Sequence, residues 1–449
     1  MAGPDAVRPE PPQRRLTGVA TPVGSVPDAI RWPAPSPYTR SVHLTRRGFV
    51  AGAAAALVGP SLWADVVSGA VDPVRSSASL GPPDDDGLRL PAGFSGRVVA
   101  RSGRPVGTTG FVWHEAPDGG GVLGRSDGGW SYVSNSEFDD AGGSVSVVEF
   151  DRTGRIAGAF SIASGTSRNC SGGMTPWGTW LTCEETPFGR VYECDPSRAD
   201  SAVARPALGA FRHEAAVVDP VTGDVHLTED RPDGRLYRFV PDVPGRLDAG
   251  RLQAASVAGD ASELRPGESV GVTWVDTSAD RPDRSPSTSP FDGGEGAWVD
   301  GDRLLFTTKG DRRVWSLGLR TDRLGVLHDC LARPDTPLDA VDNITVHPAT
   351  GDVYVAEDGG NMELVTLRQL PDGELEIVTF LRVVGQDDSE ITGPAFSPDG
   401  SRLYVSSQRG TDGRGITYEV TGPFGRPPTG AGVVVASTVG LARARRLGA

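Results

Sequence analysis

Lysine is almost absent from this chain. Of its 44 basic residues 43 are arginine, and the one lysine is Lys309. Histidine is scarce, with 6 in 449 residues, which leaves little for imidazole acid–base work or a histidine-rich metal site. The 4 cysteines have no regular spacing and do not make a disulfide scaffold. An oxidising compartment would allow Cys183 to pair with Cys194, or either with Cys330. Beyond the N-terminal region no apolar run reaches about 18 residues, which excludes a transmembrane helix and stable membrane insertion there. The net charge of −14 excludes nucleic acid and anionic membranes as natural partners and suits bound cations. No nucleophile elbow, P-loop or dinucleotide fingerprint stands in a fitting context, and Ser171 lacks an evident general base.

What the chain has in quantity is turn formers, 60 Gly and 37 Pro, which argue for many short strands. Its N-terminal part reads differently. Leu-Thr-Arg46-Arg47-Gly-Phe-Val, a mildly apolar run and Ser68-Gly69-Ala70 make residues 44–70 a twin-arginine (Tat) export signal. Residues 1–43 are then a Pro-rich disordered extension or an over-called start. Residues 71–92 are expected as a flexible lead-in, 93–425 as the folded domain, and 426–449 as a tail or a closing segment. The signal implies the Tat machinery as a partner and an extracellular or cell-envelope location, for a chain expected as a monomer.

The folded region repeats a short β-rich run ending in polar or acidic residues. The six runs are Trp130–Glu137, Thr179–Glu185, Asp224–Asp230, Arg303–Asp311, Asp352–Asp358 and Arg402–Gln408. Their ends fall 48, 45, 81, 47 and 50 residues apart. The long interval holds residues 241–290, rich in Pro, Asp, Ser and Arg and read as an insertion. Five runs follow an earlier position by 14 or 15 residues: Cys170 before Glu185, Glu214 before Glu229, Glu295 before Lys309, Asp342 before Glu357, and Gly393 before Gln408. Turn signals such as Pro220-Val-Thr-Gly and Pro398-Asp-Gly lie between, so each pair should close a β-hairpin. Six such units predict an all-β fold, a six-bladed β-propeller with a metal cluster at one end of its central channel.

The hairpin ends would crowd one rim with Asn135, Glu137, Cys170, Glu184, Glu185, Glu214, Glu229, Asp230, Glu295, Lys309, Asp342, Asn343, Glu357, Asp358 and Gln408. Solvated hairpin ends would account for scattered acids. They do not account for acids recurring at one phase of the repeat beside a thiol. So many carboxylates together repel unless cations neutralise them. A thiolate among carboxylates suits iron or zinc, and oxygen ligands alone suit calcium. Clustered metals on carboxylates suit phosphate-ester hydrolysis, and Lys309 could hold a phosphate oxygen or the leaving group. A calcium-dependent lactonase of the gluconolactonase type and a non-catalytic metal-binding propeller of the envelope are the alternatives.

These segments resemble the PhoX-type alkaline phosphatases, a Tat-exported bacterial family. The resemblance rests on Asp127–Glu137, on Asn169-Cys-Ser-Gly-Gly-Met-Thr-Pro-Trp-Gly-Thr-Trp-Leu-Thr-Cys-Glu-Glu185 and on Phe211-Arg-His-Glu-Ala-Ala. It continues through Leu227–Arg231, Glu295-Gly-Ala-Trp298, Phe306–Asp311, Asp342–Val346, Val355–Gly359 and Gly393–Gly400. It implies a propeller phosphatase acting on small phosphate esters with iron and calcium. Cys170 would ligate iron, joined by Glu185 and by Glu214, Glu229 or Glu295. Calcium would take Glu357 and Asp358, with Asp342. Asn135 and Lys309 would contact phosphate. The family's pattern places an arginine shortly before the Glu-Gly matching Glu295-Gly296, where this chain has Asp292-Gly293-Gly294. Arg212 and Arg231 are the substitutes on offer.

Overall fold

Strands dominate because β-branched and aromatic residues alternate with turn formers throughout. The computed structural model describes residues 79–425, apart from 283 and 372, and the backbone of Val74–Arg75. These lie in one of the two units into which the chain divides, Ala53–Ala449; the other is Met1–Gly52. The expected N-terminal extension and export signal and the segment 426–449 lie outside the described residues.

Among the described residues the architecture is an all-β, propeller-like fold with two single-turn 3₁₀ helices. Three sheets have four antiparallel strands. One runs from Pro117–Gly124 out to Ile156–Thr166, and another from Asn169–Met174 out to Val203–Ala204. The third starts at Ile391–Phe396 and is completed by Ser95–Arg101, so the two ends of the domain share a sheet. A six-stranded sheet starts at Ile344–Val346. The remaining nine strands form one sheet, because Ser269–Thr277 pairs on one side with Gly250–Val257 and on the other with Arg323–Asp329.

Two expectations change here. Within the stretch 241–290, read as an insertion, Gly250–Val257 is the fourth strand of a regular meander and buries Leu252, Ala254 and Val257. Polar composition masked these small apolar residues. Within the expected lead-in, Leu88–Arg89 pairs with Leu375–Val383, and Leu88 and Leu90 are buried beside Leu381 and Val383. Asp84 sets the turn before them by accepting the backbone N–H groups of Asp86 and Leu88.

The turns obey local chemistry. In Asp219-Pro-Val-Thr-Gly the Asp219 carboxylate accepts from the Val221 N–H, and Gly223 takes φ +80°, which a side chain would resist. The core lies between neighbouring sheets and is aromatic. Tyr132 stacks on Tyr404 at 4.8 Å, and the Tyr404 hydroxyl accepts from Trp130 and donates to Glu419. Arg97, from the closing strand, and Arg402 both hold Glu419, which fastens that closure.

Candidate metal centre

Five of the innermost strands begin with an irregularity, and Ile344–Val346 does not. The pairing register breaks between Pro117 and Gly120, Asn169 and Gly172, His213 and Ala216, Gly294 and Ala297, and Thr392 and Ala395. The first extra residue in each case is Asp118, Cys170, Glu214, Glu295 and Gly393. A bulge re-aims its side chain out of the ordinary in–out alternation, so one repeated distortion turns four chemically active side chains to a common place. Gly393 takes φ +59°, and a Cβ there would meet the Asp118 carbonyl at 2.5 Å, so this position must stay bare. Asp342, two residues ahead of Ile344–Val346, supplies the remaining member.

Two groups result. The ligand atoms of Asp118, Glu137 and Cys170 lie within 4.8 Å of one another, and so do those of Glu214, Glu295 and Asp342. In the first, Cys170 Sγ is 3.3 Å from Asp118 Oδ2, and Gln408 Nε2 donates to Asp118 at 2.8 Å and to Glu137 at 3.0 Å. In the second, Asn343 donates to Asp342 at 2.8 Å. Burial pushes Asp118, Glu214, Glu295 and Asp342 well above the usual carboxylate range. Neighbouring carboxylates add to this in each, while the Lys309 ammonium opposes it at Glu295. Burial, then Asp118, raises the Cys170 thiol likewise.

Cations ring the mouth. Arg168 bridges Glu137 and Glu185, Arg212 holds Glu185 at 2.7 Å, and Arg409 spans Glu137 and Glu390. Lys309 sits 2.9 Å from Asp230 and 2.7 Å from Glu295, its side chain 40% exposed.

Of the residues the sequence nominates as ligands, Cys170, Glu214, Glu295 and Asp342 come together. Glu185 stands one ion pair away. Glu229 does not join them. It is in register with Glu184, not Glu185, whose counterpart is Asp230; Glu184 and Glu229 each accept a backbone N–H six residues on. A one-residue slip changes the face a side chain occupies, and Glu229 is instead held by the Tyr237 hydroxyl and Arg284. Glu357 lies outside both groups, accepts from the Asp339 N–H, and is pushed by burial to about 8. Asp358 is exposed beside Glu390, which burial and then Asp358 push to about 8.

Asn135 is no phosphate contact. It is fully buried, its amide donates to the Cys170 and Ser171 carbonyls, and its oxygen accepts from Trp180 Nε1 and Thr182. It positions Cys170 by holding the bulge. Asn135→Ala strands those buried partners, so thermal or denaturant unfolding should show a loss of about 3 kcal/mol. Asp118 and Arg168 were not singled out from sequence. Asp118 hides in a Pro-Asp-Gly-Gly-Gly run that reads as a turn. All four cysteines are free thiols in the structure.

The model of the alkaline phosphatase PhoX family matches residues 125–308 and 331–410, more than half of the chain. No curated protein sequence matches. Among solved structures, Pseudomonas fluorescens PhoX in complex with vanadate, a transition state analogue, superposes with a TM-score of 0.63 at 15% identity, covering 78% of this chain and 98% of that one. The WD40 β-propeller domain of Doa1 gives a TM-score of 0.41 at 11% identity over 72% and 96% of the two chains, too low to carry an argument. The family match shows a phosphatase, and the chain belongs to the alkaline phosphatase PhoX family.

Proposed function

We propose that this protein is an exported phosphomonoesterase that cleaves small phosphate esters at a mixed iron and calcium centre. The observation that carries the reading is that the bulges, with Glu137 and Asp342, gather one thiol and five carboxylates into two groups. The donor sets fit metal. Asp118 Oδ1, Glu214 Oε1 and Gln408 Oε1 are buried without a hydrogen-bond partner, which is costly unless a cation completes them. Cys170 with Asp118 and Glu137 suits iron; Glu214, Glu295 and Asp342, all oxygen, suit calcium. Metal held there would supply Lewis acidity toward phosphoryl oxygens.

The chain's own part is positioning and charge. Arg168, Arg409 and Lys309 stand part-exposed at the mouth, where their forks and ammonium can orient a phosphate dianion. Glu295 and Asp230 keep Lys309 protonated against the pull of burial. Arg168 and Arg409 are thus candidates for the clamp that the sequence lacks before Glu295.

We count six blades, taking the nine-stranded sheet as two meanders joined through Ser269–Thr277. The twin-arginine segment supports export to the envelope or medium. A lactonase needs no thiolate in the ring, and a binding propeller needs no ring of cations around it. The test is elemental analysis of exported protein with an assay of p-nitrophenyl phosphate at alkaline pH. Iron with calcium and steady phosphate release are expected; a metal-replete protein that releases none sinks the reading.

A further inference from the structure

A cavity of about 610 Å³, a size usual for small-molecule sites, is lined in part by Arg212, the arginine that holds Glu185. Its walls come from four places. The tight turn after Glu185 contributes Phe188, which is 80% exposed. The hairpin end after Asp230 contributes Arg231, and the loop leading into the strand His213–Val218 contributes Arg212. The long connection ahead of Gly294 contributes Asp280, Arg281 and Arg284.

That connection is clamped in place. Arg284 pairs with Glu229 and donates to the Asp233 carbonyl at 3.0 Å. Arg235 donates to the Arg284 carbonyl and to Thr288, and the Phe291 N–H bonds to Gly234. The wall from Arg284 onward is therefore anchored. Arg284 consumes the one buried acid of the lining, Glu229, and Arg231 is paired with the exposed Asp233 at 2.9 Å. Asp280 is the acid left opposite three other arginines. Arg212 joins the cavity to the centre, since its guanidinium holds Glu185 and Glu185 holds Arg168, which in turn holds Glu137.

A phosphoester seated at the metal groups must send its alcohol part out of the mouth. We infer that this cavity is the subsite for that alcohol part, and that it selects esters carrying a planar ring and a second anionic group. Phe188 offers a free aromatic face for the ring, and Arg231 and Arg281 offer charge for the anion. The inference rests on the phosphatase reading for where the scissile phosphate sits.

The test compares adenosine 3′,5′-bisphosphate with glycerol phosphate on the full metal-replete enzyme. For Phe188→Ala the ratio of kcat/KM values, bisphosphate over glycerol phosphate, should fall roughly tenfold, the usual loss of one base–aromatic stack. Arg231→Ala/Arg281→Ala should lower the ratio for the bisphosphate over adenosine monophosphate. Phe188 is exposed, so its truncation does not threaten folding. An unchanged ratio in both variants overturns the subsite. Calorimetric binding of adenosine, the product alcohol, reads the ring half of the subsite without turnover: weaker binding to Phe188→Ala supports it, and equal binding overturns it. Absence of p-nitrophenyl phosphate turnover in the wild type is a separate outcome, which sinks the phosphatase reading alone.

Discussion

Cys170→Ala should lose phosphatase turnover by about a thousandfold, the scale of several kcal/mol of transition-state charge stabilisation that a metal supplies. Its Sγ is the one sulfur in either group, and it lies against Asp118 at the head of the ring. Burial and nearby acids disfavour the bare thiolate, so only a cation at that point makes sulfur a useful ligand. The matching control is Cys183→Ala. Cys183 stands across the hairpin from the Cys170–Ser171 bulge but points into the core with Leu181, Val191 and Leu227. Its loss should cost stability through a small cavity, about 1–2 kcal/mol, and leave iron content intact. Iron content, kcat/KM and unfolding midpoint separate the two. A Cys170→Ala protein that keeps its iron and its turnover within tenfold would show that the thiol is not a ligand.

The two cysteines also show what sequence can and cannot deliver. The repeat was legible because turn chemistry is local: Pro-Val-Thr-Gly and Pro-Asp-Gly announce their hairpins wherever they fall. The exact facing of a side chain at a hairpin end is not local. It depends on where a bulge inserts its extra residue, which no propensity marks. A constant spacing of fifteen therefore found Cys170 and Asp342 but put Glu229 in a ring that its register denies it. The same rule missed Asp118, because the first hairpin is longer: Pro117 pairs with Ser136, four residues farther along than Asn169's pairing with Glu184 would suggest. Asn135 failed for a different reason. Its residue type suits phosphate contact, but burial and four hydrogen bonds inside the protein decide its role. Of the arginines at the mouth only Arg212 stood out in the sequence; Arg168 and Arg409, distant in sequence, meet on one Glu137 carboxylate only in the fold.

Removing metal should destabilise the protein, and the loss should grow with pH. In the folded chain Asp118, Glu214, Glu295 and Asp342 hold their protons above the usual carboxylate range, chiefly through burial. The folded state then binds more protons than the unfolded state over that window. Stability of the metal-free form is present at low pH and falls as pH climbs from the ordinary carboxylate value through the raised native ones. A bound cation reverses the balance by favouring the ionised groups, so the metal-replete form escapes the fall. At a hundredfold excess of metal over its dissociation constant, binding to the folded state contributes about 2.7 kcal/mol per site. In a chain of this size that moves the melting temperature by roughly 3–4 °C per site. Melting curves with chelator, and after calcium and iron are restored, should differ little at about pH 5 and most at about pH 9. The lysine and arginines of the mouth blunt the effect without abolishing it, because among the described residues no cation pairs directly with Glu214 or Asp118. Equal melting temperatures across that range, with and without chelator, would mean that the ring tolerates its own charge and that its acids are not a metal frame.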